Sequence, residues 1–490
     1  MAAQLLSIVQ IASLGSIGDN IYRVHQPCAA LAQLPGVEVF EVHAQSRHRD
    51  AAALAADVLV LTMTLDIEAH RLIHQRRLLG KLTVCEVNDY LPDVQPFNPA
   101  YRTWADPRGV YLFEQLIARC DAVQLSSAAL SQRVGYLNSE RAVFDNQLAD
   151  LPEKRILGVQ VLQPQLVLGW GGSLGHLQDL QHIAPALVQW LQTQPGVRLE
   201  VMVDPSMAVL FKDLSPRQFA FHQPGSLAHY LQWLKGIDIG LAPLLPTPYN
   251  QCRSDVKFLE YAAHGVVPVL QRLAPYAAVQ DGGTGFLFDT PEQLITLLCM
   301  LQTAPGLRQQ VANAAYDHVR TQRRIELHAA QRLRFYREQI ARIKDRPVAD
   351  NLNPLLTQAS TLPLLQLPGW QSASLGLEAN HHRLDLSTPA EHHCAAGIAA
   401  LQQGNIDQAC FEFAAAARLD PTDAQSFSFL GHCLLAQGRL VIARQALGRA
   451  IQLDPLLSRP VRALARLHHT AARQYAQQAA QLNPLPARAV

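Results

Sequence analysis

The stretch that decides the fold reads CRSDVKFLEYAAHG over residues 252–265, and VVPV follows it at 266–269. This pattern predicts a helix that carries Arg253, Lys257 and Glu260, then a turn at Gly265, then a buried strand. Further on, DGGTGFL at residues 281–287 predicts a tight turn that leads into another short strand. Helices and buried strands therefore alternate in this part of the chain.

Short apolar runs alternate with longer mixed segments on both sides of this stretch. The first set of runs is Leu5–Ile11, Val37–Val42, Val58–Leu61, Leu82–Val87, Ala122–Leu125 and Arg141–Phe144. The second set is Leu166–Gly169, Val197–Val203, Ile237–Ala242, Val266–Leu270 and Gly285–Phe288. Strands separated by helices predict parallel sheets with right-handed crossovers. The sequence therefore predicts an α/β fold of two doubly wound, Rossmann-like domains that face each other across a cleft.

The chain divides into four predicted segments. Residues 1–153 are predicted to form the first Rossmann-like domain, and residues 154–344 are predicted to form the second. Residues 345–386 contain four prolines and predict a partly packed linker, and residues 387–485 form a repeat domain. Near the end of the second domain, one apolar stripe of a helix comprises Leu333, Tyr336, Ile340 and Ile343. The basic residues around that helix either face solvent or contact a lipid-linked molecule or a membrane surface.

The C-terminal region repeats with a fixed period. Asp420-Pro421 recurs 34 residues later as Asp454-Pro455. The same offset relates Gly397 to Gly431, Gly404 to Gly438, Ala409 to Ala443, Ala416 to Ala450 and Leu419 to Leu453. Small residues where two helices cross, with Asp-Pro ending the second helix, are typical of tetratricopeptide repeats. A shortened third unit ends at Asn483-Pro484, which suits a terminal cap. Such an all-α repeat domain predicts a protein partner.

Composition excludes several classes of function. The net charge is +1, which does not favour nucleic acid as a partner. Apolar runs stay shorter than the ~18 residues that a membrane-spanning helix needs. The eight scattered cysteines form no C-x-x-C pair and predict reduced thiols. Residues 1–12 read as a first strand rather than a signal peptide. We therefore expect a cytoplasmic protein, with the inner membrane surface as an alternative peripheral location.

A glycine-rich turn opens the second domain with the sequence GWGGSLGHLQDL at residues 169–180. It follows an apolar strand and leads into a helix. Glycines let backbone N–H groups approach a phosphate, and a helix N-terminus adds a favourable dipole. We therefore predict that Gly172, Ser173 and His176 contact a pyrophosphate.

These motifs resemble those of the retaining "group 1" glycosyltransferases with two facing Rossmann-like domains, the GT-B fold. The glycine turn resembles a G-W-x-G-S-x-x-H-x-x-D-L pattern in one branch of that class. The order of Tyr230-Leu231, Asp238–Leu244, Tyr249-Asn250, the 252–265 helix and the 281–287 turn is similar to its donor half. YRVHQP at residues 22–27 resembles its Y-R-x-x-x-P motif. The resemblance covers about residues 1–340. It implies that residues 1–153 hold the acceptor, that residues 154–344 bind the nucleotide-sugar donor, and that Pro243 and Tyr249 contact the nucleotide-sugar.

The resemblance also implies roles for the 252–265 helix. Glu260 matches the second glutamate of the E-x7-E pair of that class, which would bind the ribose hydroxyls. Cys252 stands where the first glutamate is expected. Because the glycine turn contains neither Arg nor Lys, we assign the clamp on the leaving diphosphate to Arg253 and Lys257, predicted to share one helix face. Ser254 and Asp255 are either substrate contacts or the N-cap of that helix.

Polar residues also follow strands of the first domain. GSIGDN at residues 15–20 is a glycine loop after the first strand, and Asn88-Asp89 follow the fourth. The carboxyl ends of parallel strands meet at one edge of a sheet, where ligands bind. We predict that Gly18 contacts substrate and that Asp19 and Asp89 orient acceptor or sugar hydroxyls. The alternative for each is an ordinary turn residue.

The sequence thus predicts a metal-independent, retaining transferase. No D-x-D occurs, which favours the absence of a metal, and no cofactor is expected beyond the nucleotide-diphosphate sugar itself. The acceptor would be a glycan, a lipid-linked molecule or a protein. The resemblance alone implies a role in the assembly of a bacterial polysaccharide or glycoconjugate. The rival interpretation is a catalytically decayed transferase that serves as a repeat-based scaffold. Since residues 1–345 contain both halves of the cleft, we expect the repeats to be separable from the chemistry.

Overall fold

The computed structural model describes residues 5–12, 17–155, 165–349, 351–372, 380–467 and 472–482. The first sheet begins with six parallel strands that match the predicted runs closely. They are β1 (Leu6–Ile11), β2 (Val37–Val42), β3 (Val58–Thr62), β4 (Leu82–Val87), β5 (Ala122–Leu125) and β6 (Arg141–Val143). Its helices are α1 (Ile17–Asn20), α2 (Gln26–Ala32), α3 (Arg49–Ala55), α4 (Ile67–Leu78), α5 (Tyr101–Trp104), α6 (Pro107–Arg119) and α7 (Ala128–Val134). A single π-helical turn, Ile21–His25, joins α1 to α2.

The second sheet is also parallel, with the order β12-β11-β10-β7-β8-β9. Its strands are β7 (Leu166–Gly171), β8 (Val197–Met202), β9 (Phe219–His222), β10 (Ile239–Ala242), β11 (Val267–Gln271) and β12 (Phe286–Phe288). Its helices are α8 (Leu177–Gln192), α9 (Leu227–Leu234), α10 (Pro248–Gln251), α11 (Val256–Ala263), α12 (Pro291–Thr303) and α13 (Pro305–Gln322). The two sheets confirm the predicted α/β class, and β9 is a strand that the apolar pattern did not indicate.

Helix α14 (Ala329–Ile343) returns the chain to the first domain. Its buried residues Leu333 and Tyr336 share an apolar cluster with Ile8 of β1 and Val39 of β2. Ile340 and Ile343 pack against the same cluster, so the predicted apolar stripe faces the first core. The domain boundary proposed at residue 344 therefore falls after a helix that packs with the first domain. The apolar side chains of that helix bury themselves against the first sheet.

The predicted linker contributes regular structure to the first sheet. Strand β13 (Gln371–Ser372) pairs antiparallel with β14 (His381–Leu384), and β14 pairs in parallel with β2. The His381 ring lies 2.7 Å from the Glu41 carboxylate across this pairing. Helix α15 (Pro354–Ser360) packs Leu356 into the same domain. Residues 345–386 therefore do more than connect two domains. Their strands β13 and β14 extend the first sheet beyond β2 and form its edge.

Six helices complete the described chain in three consecutive pairs. They are α16 (Pro389–Gln402), α17 (Ile406–Leu419), α18 (Ala424–Ala436), α19 (Leu440–Leu453), α20 (Ser458–Leu467) and α21 (Ala472–Leu482). A Cβ on Gly397 would lie 2.7 Å from the Phe413 ring, and one on Gly431 would lie 2.6 Å from Leu447. The small residues of the 34-residue period therefore stand where paired helices touch. The predicted end of the third unit, Asn483-Pro484, lies outside the described residues.

Within the described ranges, every helix is too short or too polar to cross a lipid bilayer. All eight cysteines are unpaired.

Candidate active site

Two cavities adjoin at the glycine-rich turn that follows β7. The larger, of about 760 Å³, is lined by Asp19, Asp89, Tyr249 and Arg253 among others. The smaller, of about 570 Å³, lies on the second domain beside β7, β8 and α11. Ser173 and Leu174 line both cavities. The glycine-rich turn after β7 is therefore the point where the two spaces meet.

The glycine-rich turn owes its shape to close packing. A Cβ on Gly172 would lie 2.8 Å from the Trp170 ring, so only glycine fits there. The backbone N–H of Gly172 donates to the Met202 carbonyl at 3.1 Å. This corrects the prediction that the Gly172 N–H binds phosphate, because the strand pairing with β8 already uses that donor. Ser173 is exposed at the tip of the turn.

His176 lies one residue before α8 and is held by Asp179. Its Nδ1 is 2.9 Å from the Asp179 carboxylate, and burial lowers the pKa of His176 to about 4. The imidazole is therefore neutral near pH 7 and supplies no positive charge there. Asp179 also accepts hydrogen bonds from the Leu245 N–H and the Asn250 amide, at 2.8 and 2.9 Å. This pair fastens the glycine turn to the loop after β10, which begins with the buried Pro243.

The predicted shared helix face of Arg253 and Lys257 is wrong. Helix α11 begins only at Val256, so Arg253 lies in the connection from α10. Its guanidinium donates to the Tyr249 hydroxyl at 3.3 Å and lines the larger cavity. The Lys257 ammonium lines the smaller cavity and donates to the Tyr230 hydroxyl at 2.8 Å. The two cations therefore lie on opposite sides of the junction at Ser173.

Side chains from other elements keep this connection out of the helix. The Ser127 hydroxyl donates to the Cys252 carbonyl at 3.0 Å, and the Asn146 amide donates to the Ser254 hydroxyl at 3.0 Å. Asp255 accepts two hydrogen bonds from Arg323, at 2.6 and 3.0 Å. Asp255 occupies the N-cap position of α11 but makes no side-chain cap bond. Ser254 thus joins the two domains through Asn146, whereas Asp255 pairs with Arg323 within its own domain, and the polar groups of both residues already have protein partners.

Cys252 does not stand in for the missing first glutamate. Its side chain is 3% exposed and packs in the apolar core of the first domain. Burial raises the pKa of its thiol to about 11, so it stays protonated near neutral pH. A buried thiol of this kind offers neither a carboxylate nor a strong acceptor to a sugar hydroxyl.

Glu260 lies on α11 and contacts Lys257, which lines the smaller cavity. It is 5% exposed and accepts a hydrogen bond from Lys257 at 3.1 Å. Its other oxygen accepts from the hydroxyl of Tyr22, a residue of the first domain, at 3.0 Å. Burial and Glu260 together raise the pKa of Tyr22, which keeps this hydroxyl protonated as a donor. The carboxylate therefore bridges both domains.

Asp89 and Asp19 line the larger cavity at the carboxyl edge of the first sheet, as the topology predicted. Burial raises the pKa of Asp89 to about 7, helped by Asp19 and opposed by Arg253. A carboxyl group with such a pKa can take up or release a proton near neutral pH. Gly18 is exposed on α1, with open space around it. Gly15 and Ser16 of the same predicted loop lie outside the described residues.

The sequence analysis did not identify two tyrosines of the site or the residues of the helical domain that line the larger cavity. Tyr22 and Tyr230 surround the Glu260 and Lys257 pair, although both belong to motifs noted in the sequence. Ile398, Gln402 and Phe429 of the helical domain line the larger cavity. Residues 1–345 therefore do not supply the whole lining of this cavity, whereas the expected separability of the repeats from the chemistry stays a prediction. In the parts of the chain that the structure describes, no cluster of three His, Cys, Asp or Glu side chains could hold a metal ion.

Comparison with solved structures relates this architecture to known proteins. No family model matches the chain, and no curated protein sequence matches it. Sucrose-phosphate synthase from Thermosynechococcus elongatus is similar in structure, with a TM-score of 0.51 and 12% identity over 69% of this chain and 99% of that protein. HepE from Anabaena, solved with UDP, gives a TM-score of 0.50 and 13% identity over 67% of this chain and 100% of that protein. The likeness establishes the GT-B fold of two facing Rossmann-like domains.

Proposed function

We propose that the protein is a glycosyltransferase that moves a sugar from a nucleoside diphosphate to an acceptor hydroxyl. The observation that carries this proposal is the junction of two cavities at Ser173. Lys257 and Tyr230 flank one cavity, and Arg253 and Asp89 flank the other. A transferase needs two substrates whose reacting atoms meet at one point, and adjoining cavities provide for this. The shared fold with other transferases agrees with the proposal but does not identify the activity.

The donor would occupy the smaller cavity. Its nucleoside would lie toward the loop that contains Gln223 and Gly225, and Glu260 would accept hydrogen bonds from the ribose hydroxyls. As the glycosidic bond breaks, negative charge grows on the diphosphate. Arg253 and Lys257 would stabilise that charge from its two sides. Gly172 and Ser173 would form the turn next to the diphosphate, and the Ser173 side chain would contact it.

The acceptor would occupy the larger cavity. Asp89 would accept the proton that the attacking hydroxyl loses, because its pKa of about 7 allows it to be ionised at neutral pH. Asp19 would orient the acceptor hydroxyls beside it. Tyr249 would hold Arg253 through the contact between their side chains.

Finer parts of the proposal rest on the sequence resemblance. They are retention of anomeric configuration, transfer without a metal or cofactor, and a role in bacterial polysaccharide or glycoconjugate assembly. A cytoplasmic location, with the inner membrane surface as the alternative, belongs to the same proposal. So does the assignment of the helix pairs to tetratricopeptide repeats that bind a protein partner.

A second candidate is a transferase that has lost activity and serves as a scaffold. The buried Cys252 favours this candidate, since it removes a carboxylate that the resemblance leads us to expect. The neutral His176 favours it as well. The paired Glu260 and Lys257 and the cations at both cavities favour an active enzyme instead.

Calorimetry with the full chain separates the two candidates. We expect one of UDP, GDP or ADP to bind. The matching nucleotide-sugar should release its nucleotide when protein is present and water or an added saccharide hydroxyl accepts the sugar. Binding of a nucleotide without any turnover of its sugars would favour the scaffold. Absence of binding to all three nucleotides would contradict the proposed function.

A further inference from the structure

The larger cavity has a wall that neither Rossmann-like domain supplies. Ile398 and Gln402 of α16, with Gln425 and Phe429 of α18, line it opposite the first sheet. We propose that the helical domain forms part of the acceptor site and that the acceptor is a neutral saccharide. This inference rests on the proposed function, because it assumes that the larger cavity receives the acceptor.

Buried hydrogen bonds hold this wall in place on one side of the cavity. The fully buried carboxylate of Glu68, on α4, accepts from the Ser458 N–H at 3.3 Å, from its hydroxyl at 3.0 Å and from the Arg459 N–H at 2.6 Å. Arg459 in turn pairs with Asp66 and donates to Gln425 at 3.2 Å. Glu68 also pairs with Arg71 at 2.6 Å, and losing the three donors from residues 458 and 459 would leave buried oxygens of this carboxylate without those hydrogen bonds, so the contact resists displacement.

A second group of contacts holds the wall at the start of α16. Glu391 caps that helix and accepts from the Arg47 N–H at 3.2 Å, next to β2. Arg47 also pairs with Asp420, at the end of α17. The helical domain is therefore fastened on both sides of the cavity, and residues 398–402 keep a defined position over it.

The charges around this end of the cavity favour an uncharged ligand. Arg49 is paired with Asp50 at 2.7 Å and with Asp66 at 2.9 Å, and Arg459 is paired with Asp66. Asp19 and Asp89 add further carboxylates toward the donor side. An anionic acceptor would meet carboxylates and arginines that already have partners, whereas sugar hydroxyls can donate to these oxygens.

The remaining lining and the size of the cavity favour a small saccharide. Met63, Trp104 and Ile398 present apolar surface, which suits the apolar faces of a sugar ring. The volume of about 760 Å³ falls within the range of roughly 300–1,000 Å³ that small-molecule sites occupy. A free saccharide or the end of a short glycan fits such a space better than a folded protein surface does.

The test measures saccharide binding to the full chain saturated with UDP. Glucose, N-acetylglucosamine and maltose serve as neutral probes, and glucose 6-phosphate serves as the anionic one. The variant Ile398→Trp fills the proposed site, and Gln402→Ala removes a polar contact at an exposed position. Val441→Trp is the matched control, because Val441 is 74% exposed on α19 of the same domain.

We expect at least one neutral saccharide to bind the unmodified protein. Ile398→Trp should weaken that binding by about tenfold or more through steric exclusion, and Gln402→Ala by about two- to tenfold through one lost hydrogen bond. Val441→Trp should change nothing, and the UDP affinity should stay the same in all three. If Ile398→Trp fails to fold, Gln402→Ala still tests the inference, because Gln402 is exposed and its replacement should not unfold the protein.

Three results would overturn the inference. Saccharide binding that is equal in the unmodified protein and both cavity variants would remove the helical domain from the site. Failure of every neutral saccharide to bind, or tighter binding of glucose 6-phosphate than of glucose, would reject the acceptor class. Failure of UDP, GDP and ADP all to bind would instead contradict the proposed donor, and the saccharide titration without nucleotide would still decide this inference.

Discussion

The hydroxyl of Tyr22 donates a hydrogen bond to the carboxylate of Glu260 at 3.0 Å, across the two domains. Tyr22 follows the first strand of one sheet, and Glu260 lies on α11 of the other. Both side chains are buried, so the bond forms where water cannot replace it easily. In the proposed enzyme a ribose hydroxyl would have to take the place of this tyrosine hydroxyl. In that proposal, nucleotide binding would break this hydrogen bond between the two domains.

Replacing Tyr22 with phenylalanine should tighten nucleotide binding. Tyr22→Phe removes the competing donor, so the UDP dissociation constant should fall by about threefold or more, while the melting temperature drops because a bond to a charged group is lost. Calorimetry and thermal unfolding measure the two effects. Tyr261→Phe is the matched control, since that hydroxyl donates only to the Leu241 carbonyl. Weaker UDP binding in Tyr22→Phe would show that the tyrosine supports the nucleotide instead.

Replacing Glu260 with glutamine should weaken donor binding with the fold intact. Glu260→Gln keeps the volume but removes the charge that accepts hydrogen bonds, a loss of about 1.5–3 kcal/mol. The nucleotide dissociation constant should therefore rise about tenfold or more. Glu326→Gln, at an exposed position, is the control. Unchanged calorimetric binding in Glu260→Gln would remove this residue from the donor site.

Arg253→Ala and Lys257→Ala should each slow turnover more than they weaken donor binding. In the proposed mechanism both cations face charge that grows on the leaving diphosphate, and removing one such group commonly costs about 10²-fold in kcat. Arg272→Ala is a suitable control, because Arg272 pairs with Asp281 and Asp289 on the surface. Full activity of both site variants, combined with loss of activity in EDTA, would identify a metal as the clamp.

Activity should rise with pH through the range around 7. Asp89 has a pKa of about 7 in the folded protein, so it becomes an ionised base only above that pH. Asp89→Asn should lower kcat and abolish this rise. The pKa of Asp89 is higher in the folded than in the unfolded chain, so its contribution to stability is complete below about pH 4 and is lost as pH rises toward 7.

The stability of the same variant provides an independent measurement. Asp89→Asn should raise the melting temperature at pH 8, because it removes the charge of a half-buried carboxylate, and should leave it nearly unchanged at pH 4. Asp93→Asn, a neighbouring aspartate that pairs with Arg133, should not show this pattern. An equal change at both pH values would show that Asp89 does not titrate between them.

Several elements could be predicted from the sequence because their determinants are local. The bounds of β2, β4 and β5 agree with the apolar runs residue by residue. Strand β14 could not be predicted, because HHRL at residues 381–384 has no strong strand pattern and pairs only where β2 offers an open edge. The helix of Arg253 was predicted too long, since Ser127, Asn146 and Arg323 hold that segment from distant positions.

The sequence by itself determined two parallel sheets, the position of the glycine turn and the 34-residue helical period. Each of these depends on the spacing of apolar and small residues within one short segment, so it is visible without a structure. Only the tertiary structure decided that α16 and α18 close the larger cavity. That outcome depends on Glu68 meeting Ser458 and Arg459, about 390 positions away. Such contacts depend on complementary side chains from distant parts of the chain, and no local sequence pattern indicates them.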